Sequence, residues 1–403
     1  MRKKNMLRSC GLIVGVTVVS IHFLMGAPVA IGADTPAYKF SLTGEVVNKE
    51  VLAGSPALLR FTLRNDSKVA ANVCTGAFRE AIVTGPAGQK LVTGKLDAYT
   101  YDPVENCRAT LQPGETHQQW VLVFLGRSDE RPKDVGPIFK QKGPWRVQCG
   151  RLGLVEWERG QYGEKRLIKE SNMEVRSDEV IVNVVEAAGG VTAWEVILDL
   201  SEKAMDEGGE LLLLPAGPNA CQKAQKMLSE ATEKALGRIV RECKDPLSVY
   251  LTKNALARAY VGRVRHAYEV ELHTLILPEK KGEDGAAKKE DPLDYPKAYL
   301  AAMKGTDGRN LHALQREAMK IATTKEAGTI DKLNAILGSD FAEEFIPPYK
   351  EERREYALWG MIWKGDLKKA RETCEQLSKG DDSLSGTARG ILENWHIYSD
   401  SVK

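Results

Sequence analysis

From Tyr38 to about Glu186 the apolar and polar positions alternate with a period of two. Leu59, Phe61 and Leu63 are interleaved with Arg60, Thr62 and Arg64, the pattern of a strand with one face in a core and one in water. Tyr38, Phe40 and Leu42 alternate with Lys39, Ser41 and Thr43, and Trp145, Val147 and Cys149 with Arg146 and Gln148. Val180, Val182 and Val184 close the series. Trp120, Leu122 and Phe124 enclose Val121 and Val123, so this strand is apolar on both faces and is expected in the middle of a sheet. Turn signals separate the runs. Asn65–Ser67 follows the second strand, Gly85–Gly88 joins Ala81–Val83 to Lys90–Val92 as a hairpin turn would, and Leu111–Glu115 carries Pro113 and Gly114 in type II order, with glycine supplying the positive φ. Short strands punctuated in this way predict a β-sandwich over 34–188.

After Ala187–Gly190 the period becomes helical. Trp194, Ile197, Leu198, Ser201 and Met205 share one face. Pro218 opens a helix whose stripe is Cys221, Ala224, Leu228, Ala231, Ala235 and Ile239, and Asp245–Pro246 opens another with Tyr250, Leu256, Ala257 and Tyr260. On one unbroken helix Cys221 and Cys243 would stand about 33 Å apart, so no bridge between them is expected; Gly237 is the one candidate for a break. The run Pro278–Asp291 is charged, contains glycine and has no apolar residue larger than alanine, which predicts a solvated linker over 277–293. Helices resume near Tyr295–Lys304, Asn310–Thr324, Thr329–Leu337 and from Glu351 onward. The helical region is thus divided into 189–276 and 294–403.

Two resemblances sharpen this division. The strand ending in Arg64–Ser67, the Gly85–Gly88 hairpin, the Leu111–Glu115 turn and the late Gly143–Val147 strand resemble the immunoglobulin-like modules of secreted bacterial proteins. The intracellular proteinase-inhibitor family of bacilli shares part of the pattern. These are turn and core features, so they imply a fold and little about activity. Tyr356–Arg371, with its Lys364–Leu367 turn and small Ala370, is similar to a tetratricopeptide helical hairpin, and Asp245–Tyr250 with Leu256–Tyr260 resembles one more loosely. No strict 34-residue period runs through the region. The fold class implied is multidomain, an all-β immunoglobulin-like sandwich followed by an all-α helical-hairpin region of tetratricopeptide-like character.

The first 33 residues change the picture of charge and compartment. Arg2, Lys3, Lys4 and Arg8 precede the mostly apolar Gly11–Met25 and the small-residue exit Gly26–Ala33, the three parts of a secretory signal peptide over 1–33. Cleavage after Ala33 places Ile31 and Ala33 at the two positions that signal peptidase reads. An uncleaved anchor is the alternative; Ser20, His22 and the small exit favour cleavage. Cys10 precedes the apolar core instead of following it, which is the wrong order for a lipid anchor. Removing the segment lowers Lys+Arg from 57 to 53 against 55 Asp+Glu, so the sequence pI near 8.0 owes much to these residues. A near-neutral body without a basic block gives no electrostatic footing for nucleic acid. The protein is expected in the periplasm or outside the cell, with no membrane span after cleavage. Six cysteines then remain in an oxidising compartment, and Cys74 with Cys107 is the candidate disulfide, although spacing alone does not fix connectivity.

Candidate chemistry is sparse. His266, Glu269 and His273 fall at i, i+3 and i+7, one stripe of a helix and a possible ligand set for zinc or iron. Their spacing is not that of a zinc-protease motif, and the alternation in Val270–Ile276 also permits a strand, which would change their facing. Ser383–Gly386 lacks the first glycine of a nucleophile elbow, and no phosphate-binding glycine loop occurs. Adjacent acids such as Glu343 and Glu344, or Asp381 and Asp382, do not face each other on a helix. The stretch Gly150–Asp178 joins two strands and holds Trp157 and Tyr162; it is either an extra hairpin or a long binding loop. Tyr349, Tyr356, Trp359, Trp363, Trp395 and Tyr398 could line a peptide or sugar groove, although Trp359 and Trp363 at i, i+4 are as readily core.

The expectation is an exported, non-enzymatic binding or adaptor protein that takes a protein or peptide partner through sandwich loops and a helical groove, without a cofactor. Trp157, Tyr162, Trp359 and Trp363 are its candidate contacts. The alternatives are a hydrolase with its site at the junction of the halves, near Trp194, and a proteinase inhibitor acting through the sandwich loops.

Overall fold

The alternation of Leu59, Phe61 and Leu63 with polar neighbours places all three in a core, where they are fully buried. The structure is a computed structural model that describes residues 38–48, 50–74, 80–93, 108–127, 135–159, 165–186, 189–200, 208–209, 211–212, 220–277, 294–304, 311–338, 347–380 and 382–399. The segment 1–33 expected to be a signal peptide and nearly all of the 277–293 segment expected to be a linker lie outside the described residues. The strand carrying these leucines, β3 (Ala57–Asn65), runs antiparallel between β1 (Phe40–Val46) and β8 (Thr116–Val123).

A second sheet faces this one. Its order is β2 (Val51–Leu52), β13 (Val180–Val185), β11 (Gly143–Arg159), β4 (Ala71–Cys74) and β7 (Arg108–Leu111), with the hairpin β5 (Glu80–Thr84) and β6 (Lys90–Thr93) also joined to β11. Between β8 and β11, β9 (Leu125–Arg127) and β10 (Val135–Pro137) form a separate antiparallel pair. Leu42, Leu59, Phe61, Val121 and Val123 of the first sheet share one buried cluster with Val73, Val83, Trp145, Val147, Val180, Val182 and Val184 of the second. The β half is therefore two packed sheets, with Cys149 buried between them. Gly85, Gly88 and Gly114 sit in the turns where the sequence put them, Gly88 and Gly114 with φ near +79°, a conformation that glycine takes without steric cost.

One open reading is decided here and another changes. The stretch 150–178 is a hairpin: β11 continues to Arg159 and pairs antiparallel with β12 (Lys165–Arg176), from Gly150 opposite Arg176 to Arg159 opposite Lys165. And β8, apolar on both faces, is not central; it is the edge of the three-stranded sheet. Its second apolar face has another cover. Leu58, Leu122 and Phe124 belong to the same buried cluster as Val196, Ile197, Leu236 and Leu247 of the helical half.

The helical half begins at α1 (Ala193–Leu198), opened by a capping box in which the Thr192 side chain accepts from Glu195 N–H and Glu195 accepts from Thr192 N–H. The long helix foreseen from Pro218 is two, α2 (Ala220–Met227) and α3 (Glu230–Glu242). Ser229 breaks it by capping α3, its Oγ accepting from Thr232 N–H at 3.2 Å. The break therefore lies at 228–229 and not at Gly237, and Cys221 and Cys243 are both free, buried thiols.

Next comes α4 (Pro246–Ile276), capped by Asp245 with Pro246 at its first position. It is helical through Val270–Ile276, which removes the strand alternative there. From Leu247 to Val264 it is buried on nearly every side, because α2, α3, α5 (Asp294–Lys304), α6 (Leu311–Lys325), α7 (Ala327–Leu337) and α8 (Pro347–Lys364) all contact it. A helix wrapped like this carries no clean polar stripe. Gly262 is required at one contact: a side-chain carbon there would run into the carbonyl of Cys221 on α2.

The chain closes with α9 (Leu367–Leu377), α10 (Ser383–Glu393) and α11 (Trp395–Ser399). Gly365, with φ near +92°, makes the turn between α8 and α9, and Ala370 is fully buried where the two helices meet. No described helix is long and apolar enough to cross a membrane.

Candidate functional site

Arg258 and Arg265 are seven residues apart on α4 and so lie on one face of it, while Glu352, Glu355, Tyr356, Trp359 and Trp363 make a continuous stripe on α8. The two faces meet. Arg258 is 1% exposed, and its guanidinium forks onto Glu352, Nε to Oε1 at 3.1 Å and Nη2 to Oε2 at 2.7 Å, a bidentate pair of the kind that guanidinium geometry favours. Tyr356 donates its hydroxyl hydrogen to Glu352 Oε1 at 2.6 Å and lies 3.4 Å from the Cys221 sulfur on α2. One turn along, Glu355 accepts from Arg265 at 2.7 Å and from the Trp359 indole N–H at 3.2 Å.

The inner part of this network is built to hold, not to react. Burial, with the Glu352 charge beside it, pushes the Tyr356 hydroxyl well above its ordinary pKa, and burial likewise raises the Cys221 thiol. A thiol kept protonated is a poor nucleophile. The Arg258–Glu352 pair and the Cys221–Tyr356 contact tie α4, α8 and α2 into one unit.

The outer part reaches solvent. Trp359 is half-buried and stacks on Trp363 with ring centroids 5.5 Å apart. Arg265 covers the other reach of Trp359 at 5.3 Å. Tyr398 on α11 meets Trp359 edge-on at 5.8 Å and Trp395 at 6.3 Å, and Arg371 on α9 lies 5.9 Å over Trp395. The result is a margin of alternating aromatic rings and guanidinium groups contributed by α4, α8, α9 and α11. Such a margin offers flat apolar area with charge at its rim, the chemistry common at protein-binding surfaces.

The candidate residues from the sequence divide accordingly. Trp359 lies in this margin. Trp363 is 6% exposed and belongs to the core, so it supports Trp359 from beneath and is not itself a contact surface. Trp157 sits in β11 with its backbone opposite Leu167; its side chain, and Tyr162 altogether, lie outside the described residues. His266 and Glu269 are exposed on α4 and His273 is half-buried. Among the described residues no three His, Cys, Asp or Glu side chains converge as a metal site, so these three are not brought together as ligands. Cys74 faces Arg108 in the β4–β7 register, while its side chain and Cys107 lie outside the described residues.

Sequence reading missed Arg258, Arg265, Glu352 and Glu355. A signal existed for Arg258: it stands in Ala255–Gly262, where every other residue is small or apolar. A buried arginine there demands a carboxylate partner, yet nothing in the sequence says which acid, 94 residues away, provides it.

At the junction of the two halves, among the described residues, Leu58, Leu122 and Phe124 on the strand side share one buried apolar cluster with Val196, Ile197, Leu211 and Leu212 on the other.

No protein-family model matches this sequence, and no curated protein matches it. Among solved structures, the chain is distantly similar to the CARDB domain of the PF1109 protein from Pyrococcus furiosus, crystallised with di-metal ions. Identity is 12%, coverage 37% of this chain and 89% of that one, and the TM-score 0.19. The ASH/PapD-like domain 7 of human CEP192 gives 9% identity over 41% of this chain and 99% of that domain, TM-score 0.22. The sporulation control protein Spo0M of Bacillus subtilis gives 13% identity over 41% and 54% of the two chains, TM-score 0.20.

Proposed function

We propose that the chain is an exported, non-enzymatic binding or adaptor protein of a bacterial envelope or extracellular space. In this reading the β half is an immunoglobulin-like sandwich and the helical half a tetratricopeptide-like array. A protein or peptide partner is held by the aromatic and arginine margin of Trp359, Trp395, Arg265 and Arg371. One observation carries the reading: half-buried indoles flanked by guanidinium groups stand at the edge of an otherwise well-sealed helical core. Exposed aromatic area of this kind is favourable to cover and is readily matched by a peptide with acidic residues beside apolar ones.

The test is site-specific photo-crosslinking in the exporting cell. A photoreactive side chain in place of Trp395 is expected to trap one discrete adduct, while the same group in place of the exposed Val69 on the β half traps none. No adduct at 395, or the same adducts at both positions, would refute the reading.

A further inference from the structure

His312 on α6 and His396 on α11 are 84 residues apart in the chain, yet His396 Nε2 lies 2.7 Å from His312 Nδ1. The rings meet edge to face with centroids 4.1 Å apart. Both are on the surface side of the helical half: His312 is exposed and His396 half-buried. The Oε1 of Gln315, one turn further along α6, is 3.3 Å from the same Nδ1 atom. Two imidazole nitrogens and an amide oxygen thus converge on one small region, supplied by two helices that are otherwise fixed by their contacts with each other.

From this geometry we propose that His312 and His396 form a surface site for a divalent late transition metal of the imidazole-seeking class, with Zn2+ as the reference ion. Tetrahedral zinc with bonds of about 2.0–2.1 Å sets its two nitrogens about 3.3 Å apart. The observed separation is 2.7 Å, so side-chain rotations that open it by roughly half an ångström admit the ion. The metal takes Nδ1 of His312 and Nε2 of His396, which requires the protons on His312 Nε2 and His396 Nδ1. The remaining positions go to Gln315 and water. Such a site is coordinatively open. It also pins α11 to α6, and α11 carries Trp395 and Tyr398, so the ion fixes one wall of the aromatic margin. The site itself stands whether or not that margin binds a partner.

The experiment uses the full exported chain without a histidine tag, stripped with a chelator, and titrated with Zn2+ against a chromophoric competitor. One equivalent is expected to bind. His312→Ala and His396→Ala are each expected to weaken binding by at least about tenfold, with circular dichroism showing the helices intact. His266→Ala, on the exposed face of α4, is expected to bind as the parent does. Zn2+ is also expected to raise the thermal midpoint of the parent and not of His312→Ala, since a ligand that binds only the folded state stabilises it. Absence of stoichiometric binding overturns the proposal. So does binding that survives in both His312→Ala and His396→Ala, or that is lost in His266→Ala.

Discussion

Replacing Glu352 by alanine takes from the buried Arg258 guanidinium the carboxylate that it forks onto, and the structure sets the size of the effect. Arg258 is 1% exposed overall, and the paired side chains of Arg258 and Glu352 are 2% and 9% exposed. Arginine cannot shed its proton to escape burial. Its charge would then have to be hydrated inside α2, α4 and α8, or those helices would have to part. Breaking one side of a buried pair of this kind costs about 3–5 kcal/mol, a large share of the stability of a typical domain. The double variant Arg258→Met with Glu352→Leu removes both charges and fills similar volume. It is expected to recover much of that loss, because desolvation of the pair offsets most of its attraction, and to fall short of the parent by about 1–3 kcal/mol because the buried Tyr356 hydroxyl loses its acceptor. Arg258→Met alone should fall between the two, since the stranded carboxylate keeps the Tyr356 hydroxyl as a donor. Urea unfolding followed by both tryptophan fluorescence and circular dichroism gives the ranking, with coincident transitions justifying a two-state treatment. A loss of less than about 1 kcal/mol in Glu352→Ala, or a double variant no more stable than Glu352→Ala, would refute a buried charge pair of this kind.

Gly262→Ala drives a methyl group into the Cys221 carbonyl, whereas at Gly390 in α10 the added carbon meets nothing within 4 Å. The first is expected to cost about 3 kcal/mol or to prevent soluble expression, the second to stabilise by about 0.5–1 kcal/mol, as read from urea midpoints. Burial works to raise the pKa of Glu233, but hydrogen bonds from Lys332 and Tyr260 and the charges of Lys332 and Arg263 outweigh it, leaving the group below its ordinary 4.5. A lowered carboxylate stabilises the fold above its unfolded pKa and loses that contribution as pH falls through the folded one. Glu233→Gln should therefore be weaker at neutral pH and show a flatter loss of stability in acid. Burial pushes the thiol of Cys149 up to about 12 and that of Cys374 up to about 11. Iodoacetamide at pH 8 should accordingly spare both, as well as buried Cys221 and Cys243, until the chain is unfolded. If Cys74 and Cys107 are bridged, the unfolded, unreduced chain from residue 34 onward takes up four labels and its reduced form six.

The division into a β half and a helical half was legible because period two and period 3.6 each persist for long stretches. Where reading failed, the cause was local. The stripe of Cys221, Ala224, Leu228, Ala231, Ala235 and Ile239 keeps its phase across the α2–α3 break, so periodicity could not show it; Ser229, with Glu230 and Glu233 after it, was the available signal. The alternation at Trp120–Phe124 reported burial on both faces correctly, but not that helices supply the second cover. Gly150, Gly153 and a run of charged residues left the β11–β12 segment open between an extra hairpin and a loop. For the site, the aromatic residues of α8 and α11 were visible in the sequence. The arginines of α4 that complete it are placed by tertiary packing, which no local pattern encodes.

The second apolar face of β8 has a consequence for how the protein can be divided. Leu58, Leu122 and Phe124 are sealed by helices that arrive more than sixty residues later in the chain. Cut at 188, the β half would present those side chains to water as a sticky strip beside an unpaired sheet edge, an invitation to aggregation. During synthesis that strip gains its cover only once the helices have been made, since its buried neighbours lie later in the chain. The two halves are separable as architecture but not as folding units, so a lesion in either should be felt throughout.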